Sequence, residues 1–129
     1  MYDTYIPDKG LIETFFRIDN RINRKRYIKR MFALVGIPFV LDLVLNIAFV
    51  IVGAEVSEED TLASVLGLLT LIPSLALMIR RLHDLSRPAW WVMATFIPLL
   101  NLVLGLYLLF ARGTYGPNEY GPDPIEGCK

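Results

Sequence analysis

The sequence predicts an all-α fold: an integral membrane bundle of three helices, preceded by an amphipathic interfacial helix and followed by a Gly/Pro-rich tail. Three observations predict it. Hydrophobic residues make up 54% of the chain and mean hydropathy is +0.47, more than a water-soluble domain of 129 residues normally carries. The apolar residues gather into three runs, 31–53, 62–79 and 89–110. The formal net charge of zero is also segregated. Arg17, Arg21, Arg24, Lys25, Arg26, Lys29 and Arg30 precede the first run, whereas Glu55, Glu58, Glu59 and Asp60 follow it.

The amino-terminal segment, 1–30, opens with residues too polar and too acidic for a secretory signal, and no cleavage is expected at Val52-Gly53-Ala54. Leu11, Ile12, Phe15, Phe16 and Ile22 recur at roughly helical spacing among Glu13, Arg17, Asp19 and Arg21. This pattern fits an amphipathic helix at a membrane surface, and equally a short helix packed on the protein's own ends.

Asn23 is placed to cap a helix starting at Arg24, and from Met31 to Gly53 only Asp42 and Asn46 interrupt the apolar run. As a helix this run rises about 35 Å, enough to cross a hydrocarbon core of ~30 Å. Leu62 to Ile79 rises about 27 Å, sufficient if Arg80 and Arg81 reach the headgroups, and Pro73 is expected to kink it. Ala89 to Phe110 is the third expected span, with Pro88 as its first helical residue and Trp90 and Trp91 at the interface. Residues 111–129 form a tail in which Tyr-Gly-Pro recurs at an interval of five, a density of glycine and proline that ends the helix in successive turns.

Basic residues concentrate on the cytoplasmic side of membrane proteins. The amino-terminal block and the Arg80–Arg87 loop are therefore expected on the inner, cytoplasmic side. Three crossings then put the acidic first loop and the carboxyl terminus outside. The charge pattern describes orientation in a bilayer, and no nucleic-acid partner is expected. The lone Cys128 excludes an intramolecular disulfide, and one histidine with scattered carboxylates is too little for a metal site, so neither metal nor cofactor is expected.

Three polar motifs resemble those of the bacterial inner-membrane family known as domain of unknown function 805. They are Arg21-Ile22-Asn23-Arg24-Lys25-Arg26-Tyr27, Arg80-Arg81-Leu82-His83-Asp84 with Trp90-Trp91, and Gly116-Pro117-Asn118-Glu119-Tyr120-Gly121-Pro122-Asp123-Pro124. The chain departs from the pattern at Asn20, where the family has glycine, and at Ile28, where it often has tryptophan. The resemblance implies a small multi-spanning inner-membrane protein and no particular activity.

The densest cluster of ionisable residues is the second loop. On a helix, Arg80 and Asp84 face each other four residues apart, which leaves Arg81 and Arg87 for an anion such as a lipid phosphate, with His83 beside them. Plain positive-inside anchoring accounts for Arg87. It does not account for His83 or Asp84. Trp90, Asn118 and Asp123 complete the candidate binding set, although turn chemistry alone explains the last two. Asp42 and Asn46 share one face of the first span, where a charge costs ~2.5–3.5 kcal/mol, so they either bond neighbouring helices or serve an ion pathway. No catalytic motif is present. The expected function is a non-enzymatic module that recognises an anionic headgroup or a partner membrane protein. The alternatives are an oligomeric transporter subunit using Asp42 and Asn46 and, last, a lipid-directed enzyme using His83 and Asp84.

Overall fold

The structure, a computed structural model, describes residues 4–54 and 61–125; the acidic loop 55–60 and Cys128 lie outside the described residues. Its regular elements are helical. Helix α1, Gly10–Phe16, is short and lies alongside the end of the fourth helix. Helix α2, Arg24–Met31, starts where Asn23 Oδ1 accepts the Arg26 N–H at 2.8 Å, the cap expected from the sequence.

Helix α2 continues through a π turn, Phe32–Gly36, into α3, Ile37–Val52, making one helix of 29 residues. Pro38 explains the π turn. Proline has no N–H and its ring crowds the preceding turn, so one wider turn, in which Ile37 N–H bonds the Phe32 carbonyl, takes up the misfit without breaking the rod. Gly53 ends α3 at φ 75°, and Ala54 N–H reaches back to Phe49 O at 3.0 Å.

Helix α4, Thr61–Asp84, runs for 24 residues and continues through Pro73. Its end repeats the geometry seen at Gly53, with Ser86 in the left-handed conformation at φ 56° and Arg87 N–H bonded to Leu82 O at 2.8 Å. A side chain in that conformation costs about 1–2 kcal/mol. The Ser86 hydroxyl offsets part of this through contacts with Thr114 Oγ1 at 2.7 Å and Asn118 Nδ2 at 3.0 Å.

The third apolar run is not one helix. Ala89–Phe96 forms a 3-10 segment, Ile97 is extended ahead of Pro98, and α5, Pro98–Phe110, has only 13 residues. Residues before proline avoid the helical region, which places the break at Ile97. The 3-10 segment rises about 16 Å and α5 about 20 Å, each well short of a bilayer core. The two arms pack on each other, and the chain leaves α5 at the end from which it entered. Pro88 lies just outside the 3-10 segment, in extended conformation.

The tail therefore returns to the end of α4 that carries Arg80–Asp84. Three tail carbonyls, Thr114, Gly116 and Gly121, accept hydrogen bonds from Arg21, and Thr114 N–H donates to the Asp84 main-chain oxygen at 2.7 Å. This corrects the expectation that loop and tail occupy opposite membrane faces. The hairpin of short arms reverses the chain where a full crossing was expected.

Burial is inverted relative to a water-soluble protein. Arg21, Arg80 and Arg81 are 0% exposed, whereas Val52, Leu68, Leu99 and Phe110 are each about 70–80% exposed. A compact apolar cluster of Ile22, Tyr27, Leu77, Leu82, Leu104 and Leu108 sits beneath the buried charges. Beyond it the helices diverge into an apolar shaft. Helices Arg24–Val52 and Ala63–Asp84 are long and apolar enough to cross a membrane.

Candidate functional site: a buried arginine–aspartate cap

Each buried arginine is fixed by the element that carries it. Arg80 and Arg81 lie near the end of α4, about a third of a turn apart, so their guanidiniums leave the helix in different directions. Arg81 turns toward α5. Its Nε donates to Leu108 O at 3.0 Å and its Nη2 to Ala111 O at 2.6 Å, satisfying carbonyls at a helix end that has no intrahelical partner for them. Its remaining nitrogen pairs with the Asp84 carboxylate.

Arg80 turns toward the amino-terminal segment. It donates to Asp8 Oδ2 at 2.7 Å and to the Thr14 and Glu13 carbonyls at 3.0 and 3.3 Å, closing the end of α1. Arg30 shares Asp8 Oδ2, also at 2.7 Å. Burial alone would raise the Asp8 carboxyl, but hydrogen bonds and charge from Arg80 and Arg30 outweigh it and hold Asp8 below the usual carboxylate range.

Arg21 is the third buried cation and joins everything else. Its Nε and Nη2 lie 3.2 and 3.0 Å from Asp84 Oδ1. Its Nη1 donates to Gly116 O at 2.7 Å and Gly121 O at 3.2 Å, and Nη2 also donates to Thr114 O at 2.6 Å. The repeated Tyr-Gly-Pro thus acquires a physical meaning. Both glycines take positive φ, 73° and 129°, and both turn a carbonyl onto the same guanidinium nitrogen. Asp123 holds the loop shut by accepting Gly116 N–H and Ile125 N–H, each at 2.9 Å. Gly113 must remain glycine, because a Cβ there would fall 2.1 Å from Asp84 Oδ2.

The structure brings Arg80, Arg81, His83, Asp84, Asn118 and Asp123 to one end of the molecule, but the expected Arg80–Asp84 pair does not form: Asp84 takes Arg21 and Arg81, Arg80 takes Asp8, and Arg81 is not left free for an anion. Asn118 Nδ2 donates to His83 O at 2.9 Å, and the His83 ring stacks on Tyr120 at 4.1 Å and 5°. Arg87 is exposed over the Trp91 ring at 4.9 Å, and Trp90 projects outward. Asp42 and Asn46 are remote from the cap. Asn46 Nδ2 donates to Asp42 O at 2.8 Å, and Asp42 lines a small cavity of about 140 Å³ with Gly67 and Thr70 of α4.

Asp8, Arg21, Arg30 and Gly113 were missed as site residues. Asp8 carried no signal in a segment that read as a polar lead. Arg21 was counted among the basic anchors, and the doubled Tyr-Gly-Pro was the one clue that the tail encloses something. Beside the cap lies a cleft of about 470 Å³ between the amino-terminal segment and the tail, lined by Tyr5, Asn20, Arg21 and residues 117–122.

The family described as protein of unknown function (DUF805) matches residues 15–122. The chain belongs to the DUF805 family. It is 33% identical over 115 residues to the inner membrane protein YhaH of Escherichia coli (strain K12), covering 88% of this chain and 92% of the relative. It is 32% identical over 118 residues to the inner membrane protein YhaI of the same strain, covering 92% and 94%. No solved structure matches it significantly. The matched residues include Arg21, Arg80, Arg81, Asp84 and Gly121, so the whole arginine–aspartate core of the cap lies within the family region except Asp8.

Proposed function

We propose that this chain is a multi-pass inner-membrane protein with its polar cap on the cytoplasmic face, acting as a non-enzymatic module that associates with anionic lipid headgroups. One observation carries the reading: the basic residues divide into an inner and an outer set. Arg21, Arg80 and Arg81 are buried and committed to carboxylates and helix-end carbonyls, so they hold the cap together. Arg24, Lys25 and Lys29 are exposed on α2, directly before the apolar shaft begins, and Arg87 is exposed near Trp90. At this level each contributes about 1 kcal/mol of attraction to an anionic leaflet.

Exposed apolar residues at the same end support the reading. Leu11 and Ile12 are each 77% exposed on α1, beside the basic residues and far from the tip of the shaft. A short helix presenting leucine and isoleucine next to lysine and arginine suits the boundary between headgroups and acyl chains. Positive residues around the cap set the cytoplasmic orientation.

The test compares the two sets. With Arg24, Lys25 and Lys29 changed together to Gln, preference for vesicles containing phosphatidylglycerol over neutral vesicles should fall about tenfold or more, with unfolding in detergent unchanged. Undiminished preference in the triple variant would overturn the proposal.

A further inference from the structure

The cleft between the amino-terminal segment and the tail has a hydrogen-bonding bias that the cap does not use. Most of its donors are engaged. Arg21 places all five N–H groups on Asp84, Thr114, Gly116 and Gly121. Asn118 uses its amide nitrogen on His83 O and Ser86 Oγ. Arg17 clasps Asp19 through Nε at 2.6 Å and Nη2 at 3.4 Å.

The acceptors are not spent. Asn20 donates through Nδ2 to Asp8 at 3.3 Å, but its Oδ1 is buried without a partner. The Tyr5 hydroxyl is also buried without a partner, on a residue only 9% exposed. Both residues line the cleft. Unpaired polar atoms at such depth are uncommon and each costs about 1–3 kcal/mol. The Glu119 carboxylate stands at the rim beside the Tyr120 hydroxyl, with no arginine or lysine paired to it among the described residues. The rest of the lining sets Ile6, Pro117 and Pro122 beside Thr4 and the Arg17–Asp19 pair, and the volume of about 470 Å³ falls within the ~300–1,000 Å³ of small-molecule sites.

A ligand that answers this pattern brings several N–H donors, a positive charge and a short apolar body. We propose that the cleft binds an organic primary ammonium, its N–H groups donated to Asn20 Oδ1 and Tyr5 Oη and its charge facing Glu119. The same chemistry is offered by the ethanolamine headgroup of a phospholipid and by a soluble aliphatic amine. The proposal is independent of the anionic-lipid reading, since Arg24, Lys25 and Lys29 do not line the cleft.

The experiment is titration calorimetry on the full chain in neutral detergent, with butane-1,4-diamine as probe and its fully N-methylated, quaternary analogue as control. The primary amine is expected to bind at least about tenfold more tightly than the quaternary one, because methylation removes every donor. Tyr5→Phe and Glu119→Gln should each weaken binding about fivefold or more. Glu119 is exposed, so its variant keeps the test decisive even if Tyr5→Phe perturbs folding. Equal affinity for both probes, no saturable binding at millimolar amine, or full affinity in Glu119→Gln would each overturn the proposal. Adding phosphatidylethanolamine or phosphatidylcholine to the micelles identifies the source. Competition by the first alone indicates a lipid headgroup, and competition by neither indicates a soluble amine.

Discussion

The cap and the shaft are built from the same helices under opposite rules. In the shaft, α3 and the first half of α4 present apolar side chains outward and make few contacts with each other, so most positions there need only be apolar. In the cap, the charged side chains have named partners and little freedom, with Arg80 Nε and His83 Nδ1 buried without one. Asp84 receives two guanidiniums, and the main-chain oxygen of the same residue receives the tail. The difference teaches that a membrane supplies the shaft with its environment, whereas the cap must supply its own. A buried charge that loses its counter-charge is strongly destabilising.

The largest break in this comparison should come from Asp84→Ala. It leaves Arg21 and Arg81 facing each other without a counter-charge, and loss of one partner of a buried pair costs about 3–5 kcal/mol. Chemical unfolding in mixed micelles should show that loss, together with proteolysis of the tail between Thr114 and Pro122. Acid should have an intermediate effect through Asp8. Its carboxyl is held below the ordinary range, so its stabilising contribution is complete above the unfolded value near 4 and fades as pH falls through the lower folded value. Unfolding followed from pH 7 to pH 2 should show that fall, and Asp8→Asn should flatten it. The smallest effect is expected in the shaft. Asp42→Asn keeps the side-chain shape and leaves the Asn46 bond to the Asp42 main-chain oxygen intact, so stability should change by under about 1 kcal/mol.

The same division explains what the sequence made legible. Helix starts and apolar stretches are local properties, so Asn23 marked the start of α2 and the runs of leucine, isoleucine and valine marked both long helices. The third run misled because composition reports how apolar a segment is and not whether it crosses. Pro98 was visible, but its effect on Ile97 is to break a helix that hydropathy alone would continue. In the cap, types were legible and directions were not. Arg80 and Arg81 stand out in the sequence, but whether a guanidinium points to water or inward depends on a partner such as Asp8, 72 residues away in sequence. Gly113 looked like one more tail glycine until Asp84 stood against it.

The enclosure of Arg21 also orders the protein in time. The carbonyls that surround its guanidinium belong to residues 93 to 100 positions later in the chain. At ribosomal speeds of about 5–20 residues per second, Arg21 is synthesised roughly 5–20 s before its partners. During that interval it is one more cation of the amino-terminal block. Only after the tail has emerged can Arg21 pass from a solvated charge to a structural one. The cap thus cannot close before its last partners are made, and a chain truncated before Gly121 would lack both the Gly121 carbonyl on Arg21 and the Asp123 clasp on Gly116.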